Sequence, residues 1–419
     1  MRRLVLSLLV VSMLSACGGG GGSSSGGGSG STGGGSGSTG GGSGSTGGGS
    51  GSSGGGMAGI DAGPFFSFVG FSEQVPVPAN ETCDLELDSM GRAHVVSNYS
   101  YVVDGGLHYS VRELDGGWTT ERIVPVVGTN QTGTAAKIEI DSAGKPHVAF
   151  IQADQLANPN RTRLFYASKP AGTWEVEEIE DAGFQVSVFF SFQLDSTDTP
   201  RLTYRIRNAI QPDGGNQNSV VQHATRSTGA WTRETVHQQA TATGFDYATN
   251  ASLDSTGAAH VYFMASQFPD GGNSPSYFIA HATKSASAWN YELAYGNNFS
   301  MSRGASAVGP NDELNLVAEF TFFRKGPYTD GGWAYGGGGS AGNSPVMRTA
   351  PNGAVWDFTN TGSSSGGMLT VGRYVNGVHV VNVDAGVGGV RFSGWDFDSN
   401  GHPWGAVAKS DGVYLIRLD

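Results

Sequence analysis

From about Val69 onward the chain runs in short stretches of alternating apolar and polar residues, most of them closed by Gly, Asp, Asn, Ser or Pro. A period of two places successive side chains on opposite faces of an extended backbone, so the pattern predicts strands joined by tight turns. One strand–turn–strand unit recurs. Leu85-Glu-Leu-Asp-Ser-Met-Gly-Arg-Ala-His-Val-Val returns as Ile138-Glu-Ile-Asp-Ser-Ala-Gly-Lys-Pro-His-Val-Ala, as Phe192-Gln-Leu-Asp-Ser-Thr-Asp-Thr-Pro-Arg-Leu-Thr and as Ala251-Ser-Leu-Asp-Ser-Thr-Gly-Ala-Ala-His-Val-Tyr. A last copy is Trp395-Asp-Phe-Asp-Ser-Asn-Gly-His-Pro-Trp-Gly-Ala, and weaker ones lie at 305–320 and 369–383. Each of the first four is followed by a third strand-like piece and then a fourth holding Trp with Glu three residues later: Trp118/Glu121, Trp174/Glu177, Trp231/Glu234 and Trp289/Glu292.

Four antiparallel strands, repeated, predict an all-β fold, a β-propeller of seven blades, with six the alternative count. A lone four-stranded sheet leaves both faces uncovered, so blades must stack about an axis, and the regular Trp has the size to fill the space between them. The last copy has only Gly412–Leu418 after it and lacks a fourth strand. Near the start, Ser72-Glu-Gln-Val-Pro-Val echoes Thr120-Glu-Arg-Ile-Val-Pro-Val. The N-terminal strand is therefore expected to complete the C-terminal blade and remove its open edge. The sixth blade is expected to be truncated, between Met368 and Ser393.

Composition adds the compartment. Residues 18–56 are almost entirely Gly, Ser and Thr, with GGGSGST repeated, and hold no apolar surface on which to fold. Such a coil spans roughly 35 Å. Ahead of it, Arg2 and Arg3 precede an apolar stretch too short to cross a bilayer, closed by Leu14-Ser-Ala-Cys17. That ending resembles the lipobox of bacterial lipoproteins. The resemblance implies a signal peptide over 1–16, lipidation of Cys17, a tether to residue 56 and a folded domain over 57–419. Gly18 rather than Asp after the Cys implies, for a Gram-negative host, the outer membrane. The net charge of −12, with charged residues only 14% of the chain, argues against nucleic acid as a partner. With Cys17 lipidated, Cys83 has no intramolecular partner and reads as a small buried strand residue, or alternatively as a reactive thiol. The chain is expected to be a monomer.

Asp88/His94, Asp141/His147 and Asp254/His260 share a six-residue spacing, but Asp195/Arg201 and Asp398/Trp404 keep the pattern with residues that cannot ligate a metal. The motif therefore reads as a turn whose Asp is paired across the hairpin, and neither metal nor cofactor is expected. Asp-Gly-Gly occurs at Asp104, Asp213, Asp270 and Asp330, placed between second and third strands, and at Asp115, between third and fourth. The loops on the face of the second-to-third connections contain Tyr99, Tyr101, Asn158, Asn160, Gln217, Asn218, Phe268, Tyr328, Trp333 and Tyr335, amide and aromatic side chains suited to a glycan or a protein epitope.

Residues 68–419 resemble sialidase-type and BNR-type propellers in their repeat architecture. The Asp box of that family runs Ser-x-Asp-x-Gly-x-x-Trp in one turn. Here the Asp precedes the Ser, and the Trp sits on another strand. The Phe/Tyr-Arg-Ile-Pro element is absent, since Tyr204-Arg-Ile-Arg lacks the Pro. No catalytic residue carries over. The expectation is a lipid-anchored binding module for carbohydrate or protein, with an exported sialidase-like glycoside hydrolase as the alternative.

Overall fold

The computed structural model describes Phe66 and residues 69–419, apart from the connections 78–81, 100–104, 126–129, 155–160, 181–184, 188, 208–218, 240–248, 266–277, 286–287, 297–303, 319–320, 327–331, 338–342, 362–366 and 376–377. Seven antiparallel sheets form the fold. Blade 1 is Thr82–Leu87, Ala93–Tyr99, Gly106–Arg112 and Trp118–Pro125. Blade 2 is Asn130–Ile140, Pro146–Asp154, Arg161–Ser168 and Glu175–Glu180. Blade 3 pairs a broken inner strand, Gln185–Val186 and Ser191–Leu194, with Pro200–Arg207, followed by Ser219–Ser227 and Ala230–Gln239. Blade 4 is Thr249–Leu253, Ala259–Ala265, Phe278–Ser285 and Ala288–Gly296. Blade 5 is Gly304–Val308, Leu314–Ala318, Thr321–Lys325 and Trp333–Gly337. Blade 6 is Asn343–Thr349, Val355–Asn360, Leu369–Val375 and Val378–Asp384. Blade 7 is Phe392–Phe397, Pro403–Lys409 and Gly412–Leu418, completed by Val69–Gln74. The first strands of successive blades lie side by side, and those of blades 1 and 7 meet, so the ring closes.

The count is seven, but one blade differs from expectation. Blade 6 is complete. Its first strand is Asn343–Thr349, and Leu369–Val375, read from the sequence as a first strand, is its third. The hairpin at Ala350–Gly353 keeps the turn hydrogen bonds of the other copies without the Asp that marks them, which hides it from sequence comparison.

The core lies between blades. Val96, Leu107 and Tyr109 of blade 1 meet Ile138, Val148 and Phe150 of blade 2. Trp356 and Phe358 of blade 6 meet Trp395 and Phe397 of blade 7, with Phe358 and Trp395 stacked at 4.2 Å. Middle strands are covered on both faces, so Ala259–Ala265 is buried almost throughout and its alternation fades.

The repeated Asp is a turn residue. Asp88 Oδ1 accepts from the amides of Met90 (3.0 Å) and Arg92 (2.9 Å), and Asp141, Asp195, Asp254 and Asp398 accept from the matching pairs of amides. The other oxygen faces the residue six positions on: His147 Nε2 at 3.3 Å, His260 Nε2 at 3.2 Å, the Arg201 guanidinium at 2.8 Å or Trp404 Nε1 at 3.2 Å. In two turns Asp stands in the left-handed position that other copies give to Gly: Asp198 and Asp312, with φ of 59° and 58°. Each accepts hydrogen bonds from the Ser of the preceding blade's turn, Ser142 and Ser255. These contacts offset backbone strain and tie neighbouring blades together.

The Trp-x-x-Glu pattern forms a second inter-blade link. Trp118 Nε1 donates to Glu73 (3.0 Å), Trp231 Nε1 to Glu177 (3.0 Å) and Trp333 Nε1 to Glu292 (3.0 Å). A basic residue of the Trp-bearing blade joins each Glu: Arg112 at 2.7 Å, Arg226 at 2.6 Å and Lys325 at 2.5 Å. Glu73, on the strand that closes the ring, takes the role that Glu177 and Glu292 have elsewhere.

Candidate functional site

First strands have no partner on the axial side, so their inward side chains line a central cavity of about 300 Å³. Two residues before the turn stand Glu86, Glu139, Gln193, Ser252, Arg348 and Asp396, with Ala307 completing the tier. Two residues earlier stand Asp84, Lys137, Ser191, Asn250 and Ala305. Blade 7 contributes Gly394 at that level. A Cβ there would lie 2.3 Å from Asp84 Oδ1 and 2.5 Å from the Leu85 nitrogen, so only glycine lets blade 1 approach this closely.

Axial side chains also satisfy the free edge amides of adjacent inner strands. Leu87 N donates to Asp396 Oδ2 (2.9 Å), Ile138 N to Asp84 Oδ2 (3.2 Å) and Ala251 N to Ser191 Oγ (2.8 Å). This fixes the carboxylates to the ring. Asp84, 1% exposed at its side chain, pairs its Oδ1 with Lys137 Nζ at 3.6 Å but accepts no hydrogen bond there. Asn250 Nδ2 is buried without a hydrogen-bond partner. An ion-paired acceptor and a donor, neither of them hydrogen-bonded, are thus held beside the cavity.

The electrostatics follow from confinement. Burial pushes the Glu139 carboxyl up to about 8, with Asp84 and Asp396 adding to the rise against the opposing pull of Arg348 and Lys137. Burial, Asp396 and Glu139 raise Glu86 well above the usual carboxylate range, and burial raises Asp396. Burial alone would lower Arg348, but the charges of Glu86, Asp84, Glu139 and Asp396 raise it instead. Carboxyls that keep protons near neutrality can donate hydrogen bonds or act as general acids. Among the described residues no group of three or more His, Cys, Asp or Glu side chains is arranged to hold a metal ion.

Of the loop residues singled out from sequence, only Trp333 is described at its side chain, and it does not line this cavity. Tyr101, Asn158, Asn160, Gln217, Asn218, Phe268 and Tyr328 lie outside the described residues, as do the leader, Cys17 and the tether. Tyr99 ends a second strand and Tyr335 lies within an outer strand; their side chains are outside the description. Trp333 is not on a second-to-third loop. It opens the outer strand of blade 5 and packs on Tyr262 and His281 at 5.9 and 5.4 Å, so the connection holding Asp330 joins third and fourth strands. Trp333 is the regular inter-blade Trp of blade 5, concealed because Gly336 replaces the Glu expected three residues later. Cys83 is buried in the first strand of blade 1, its thiol pushed up to about 12 by burial and donating to the Ala406 carbonyl oxygen (3.2 Å).

The cavity residues had a signal in the repeats: the polar residue inside apolar–polar–apolar–Asp, as in Leu-Glu-Leu-Asp and Trp-Asp-Phe-Asp, is the one that faces the axis.

Fold and site together define a seven-bladed propeller with a small, polar, carboxylate-rich axial cavity. No family model and no curated protein matches the sequence. Solved structures with a similar fold include a catalytically inactive variant of virginiamycin B lyase from Staphylococcus aureus with quinupristin (13% identity, TM-score 0.51, covering 83% of this chain and 99% of the lyase). The polysaccharide lyase Uly1 is similar at 10% identity and a TM-score of 0.51, covering 85% of this chain and 92% of that one. The Hadza microbial sialidase Hz136 matches at 10% identity and a TM-score of 0.50 over 81% of this chain and 65% of its own. At these identities the likeness is one of fold.

Proposed function

We propose that the protein is a lipid-anchored propeller that binds carbohydrate in its axial cavity. The observation that carries the reading is a small polar cavity flanked by two buried polar atoms that make no hydrogen bond, Asp84 Oδ1 and Asn250 Nδ2. Separate hydroxyls of a sugar are suited to donate to the first and to accept from the second. The anchor rests on Cys17 at the end of its leader. Palmitate labelling of cells is expected to vanish in Cys17→Ala, and labelling that persists would sink the anchor. Glycan-array screening of the full chain tests the binding. A sugar is expected to bind and to be weakened in Asn250→Ala, while an empty array from folded protein overturns the reading.

The glycosidase alternative draws on one observation, the raised carboxyls of Glu86, Glu139 and Asp396 on one cavity wall. A sialidase-type site also needs several arginines, and among the described residues the cavity has only Arg348. With carboxylates acting on it, Arg348 is poorly placed to receive an acidic sugar. Turnover of a fluorogenic neutral glycoside that disappears in Glu139→Gln would favour hydrolysis.

A further inference from the structure

We infer that the outer strand of blade 5, Trp333–Gly337, is an open edge on which a second copy of this chain pairs, in place of the monomer expected from the sequence. Self-pairing is independent of what the axial cavity binds. It follows from a comparison of the seven outer edges. In six blades the register between third and fourth strands slips by one residue. The slip skips Ile123, Ile179, Val236, Ala294 and Val380 in blades 1, 2, 3, 4 and 6, and Gly70 on the closing strand of blade 7. Such a bulge bends the edge and breaks the even ladder of amides and carbonyls that an incoming strand needs. Blade 5 has no slip. Its outer strand pairs evenly with Thr321–Lys325, from Thr321 opposite Gly337 to Lys325 opposite Trp333.

Charge is the second, independent observation. Each of the six bulged strands bears a carboxylate: Glu121, Glu177, Glu234, Glu292, Asp384 and Glu73. Five of these are ion-paired with a neighbouring blade, and an incoming strand would have to strip those pairs of water. From Gly331 to Met347 no residue is charged, and Gly336 stands where blades 1 to 4 have Glu. Bulge and charge, two devices that keep edges from pairing, are thus present on six strands and missing from one. Among the described residues no strand lies on its outer side. The strand that matches this edge is its own copy, equally regular and equally uncharged. With a net charge of −12 two chains repel over most of their surface, and this edge lets them meet without setting carboxylate against carboxylate. Identical strands joined antiparallel share a two-fold axis, and full overlap sets Trp333 opposite Gly337 and Tyr335 opposite its own copy. Five residues a side fall well short of the roughly 20–30 of a stable interface, so the pairing is reversible.

The full chain is studied in nonionic detergent, so that an N-terminal lipid does not associate it. Sedimentation velocity over a dilution series from about 100 to 1 µM should show a monomer–dimer equilibrium. Tyr335→Glu sets two carboxylates opposite each other and should weaken the dimer at least about tenfold, with an unchanged urea midpoint separating this loss from unfolding. Cross-linking gives a second measurement. Directly opposite residues lie within reach of a disulfide, so under mild oxidation one of the single variants Ala334→Cys, Tyr335→Cys and Gly336→Cys should yield a covalent dimer. Asn290→Cys, on the bulged edge of blade 4, should not, and buried Cys83 adds no background. A monomer at every concentration with no covalent dimer would overturn the inference, as would equal cross-linking at Asn290→Cys. In cells, cross-linking of the three variants to a different protein and never to themselves would mean that another chain takes the edge, and would overturn self-pairing.

Discussion

Deleting residues 57–77 tests how the ring is held shut. Val69–Gln74 is the outer strand of a blade whose other three strands come from the C-terminus, in register from Val69 opposite Leu418 to Gln74 opposite Tyr414. The pairing, net of hydrogen bonds regained from water, is worth about 3 kcal/mol. Val75, 1% exposed and packed in the cluster of Leu85, Val95 and Leu415, adds about 2 kcal/mol. Phe71 on Trp404 at 5.5 Å and the half-exposed ion pair of Glu73 with Arg112 add about 1 kcal/mol more. The total, about 6 kcal/mol, is of the order of a domain's whole net stability. The deletion also bares the edge of Gly412–Leu418, an invitation to intermolecular pairing. Urea unfolding followed by Trp fluorescence, with light scattering alongside, should show a collapsed midpoint and aggregation. Deleting residues 18–56 removes no contact described in the structure and should change neither. Equal midpoints for the two deletions, without scattering, would mean that blade 7 stands without its N-terminal strand, and the closure argument would fail.

Gly394→Ala drives a methyl into Asp84 and the Leu85 backbone nitrogen, and is expected to cost about 1–3 kcal/mol in urea denaturation; an unchanged midpoint would show that the two blades can separate freely. Glu292→Gln should cost about 1 kcal/mol at neutral pH once its partial exposure is allowed for. Although burial opposes ionisation, hydrogen bonds from His281, Lys325 and Trp333 hold Glu292 at about 2 against an ordinary 4.5. Its contribution is therefore full above the ordinary value and lost as pH falls towards 2, so wild type and variant should converge in acid. Burial holds His223 and His237 at about 4 against an ordinary 6.5, so the unfolded chain takes up their protons first and stability should decline from pH 6.5 towards 4. Replacing His223 with Gln should flatten part of that decline, and an identical pH profile would contradict it.

Much of this architecture is legible in the chain because it repeats. Alternation marks the strands, the Asp-Ser-x-Gly turn marks most inner hairpins, and an echo of a fourth-strand motif at Ser72–Val77 identifies the closing strand. A short-range hydrogen-bond pattern, Asp to the amides two and four residues on, needs only a local sequence and so survives in it. The limits of blade 6 are hidden because Ala350 makes the same backbone turn without the marker. Trp333 escapes its true place because the Glu that accompanies the other Trp residues is missing from its own strand; the Glu it uses, Glu292, belongs to the blade before.

Strands, turns and the need for blades to stack could be read from the amino acids alone, since each depends on residues only a few positions apart. Which polar residues share the axis could not. Asp84, Glu139, Arg348 and Asp396 come from four blades and are spread over more than three hundred positions of chain. Closing the ring brings their charges within reach of one another and shields them from water. Burial, with like charges brought close by ring closure, raises the carboxyls of Glu86, Glu139 and Asp396.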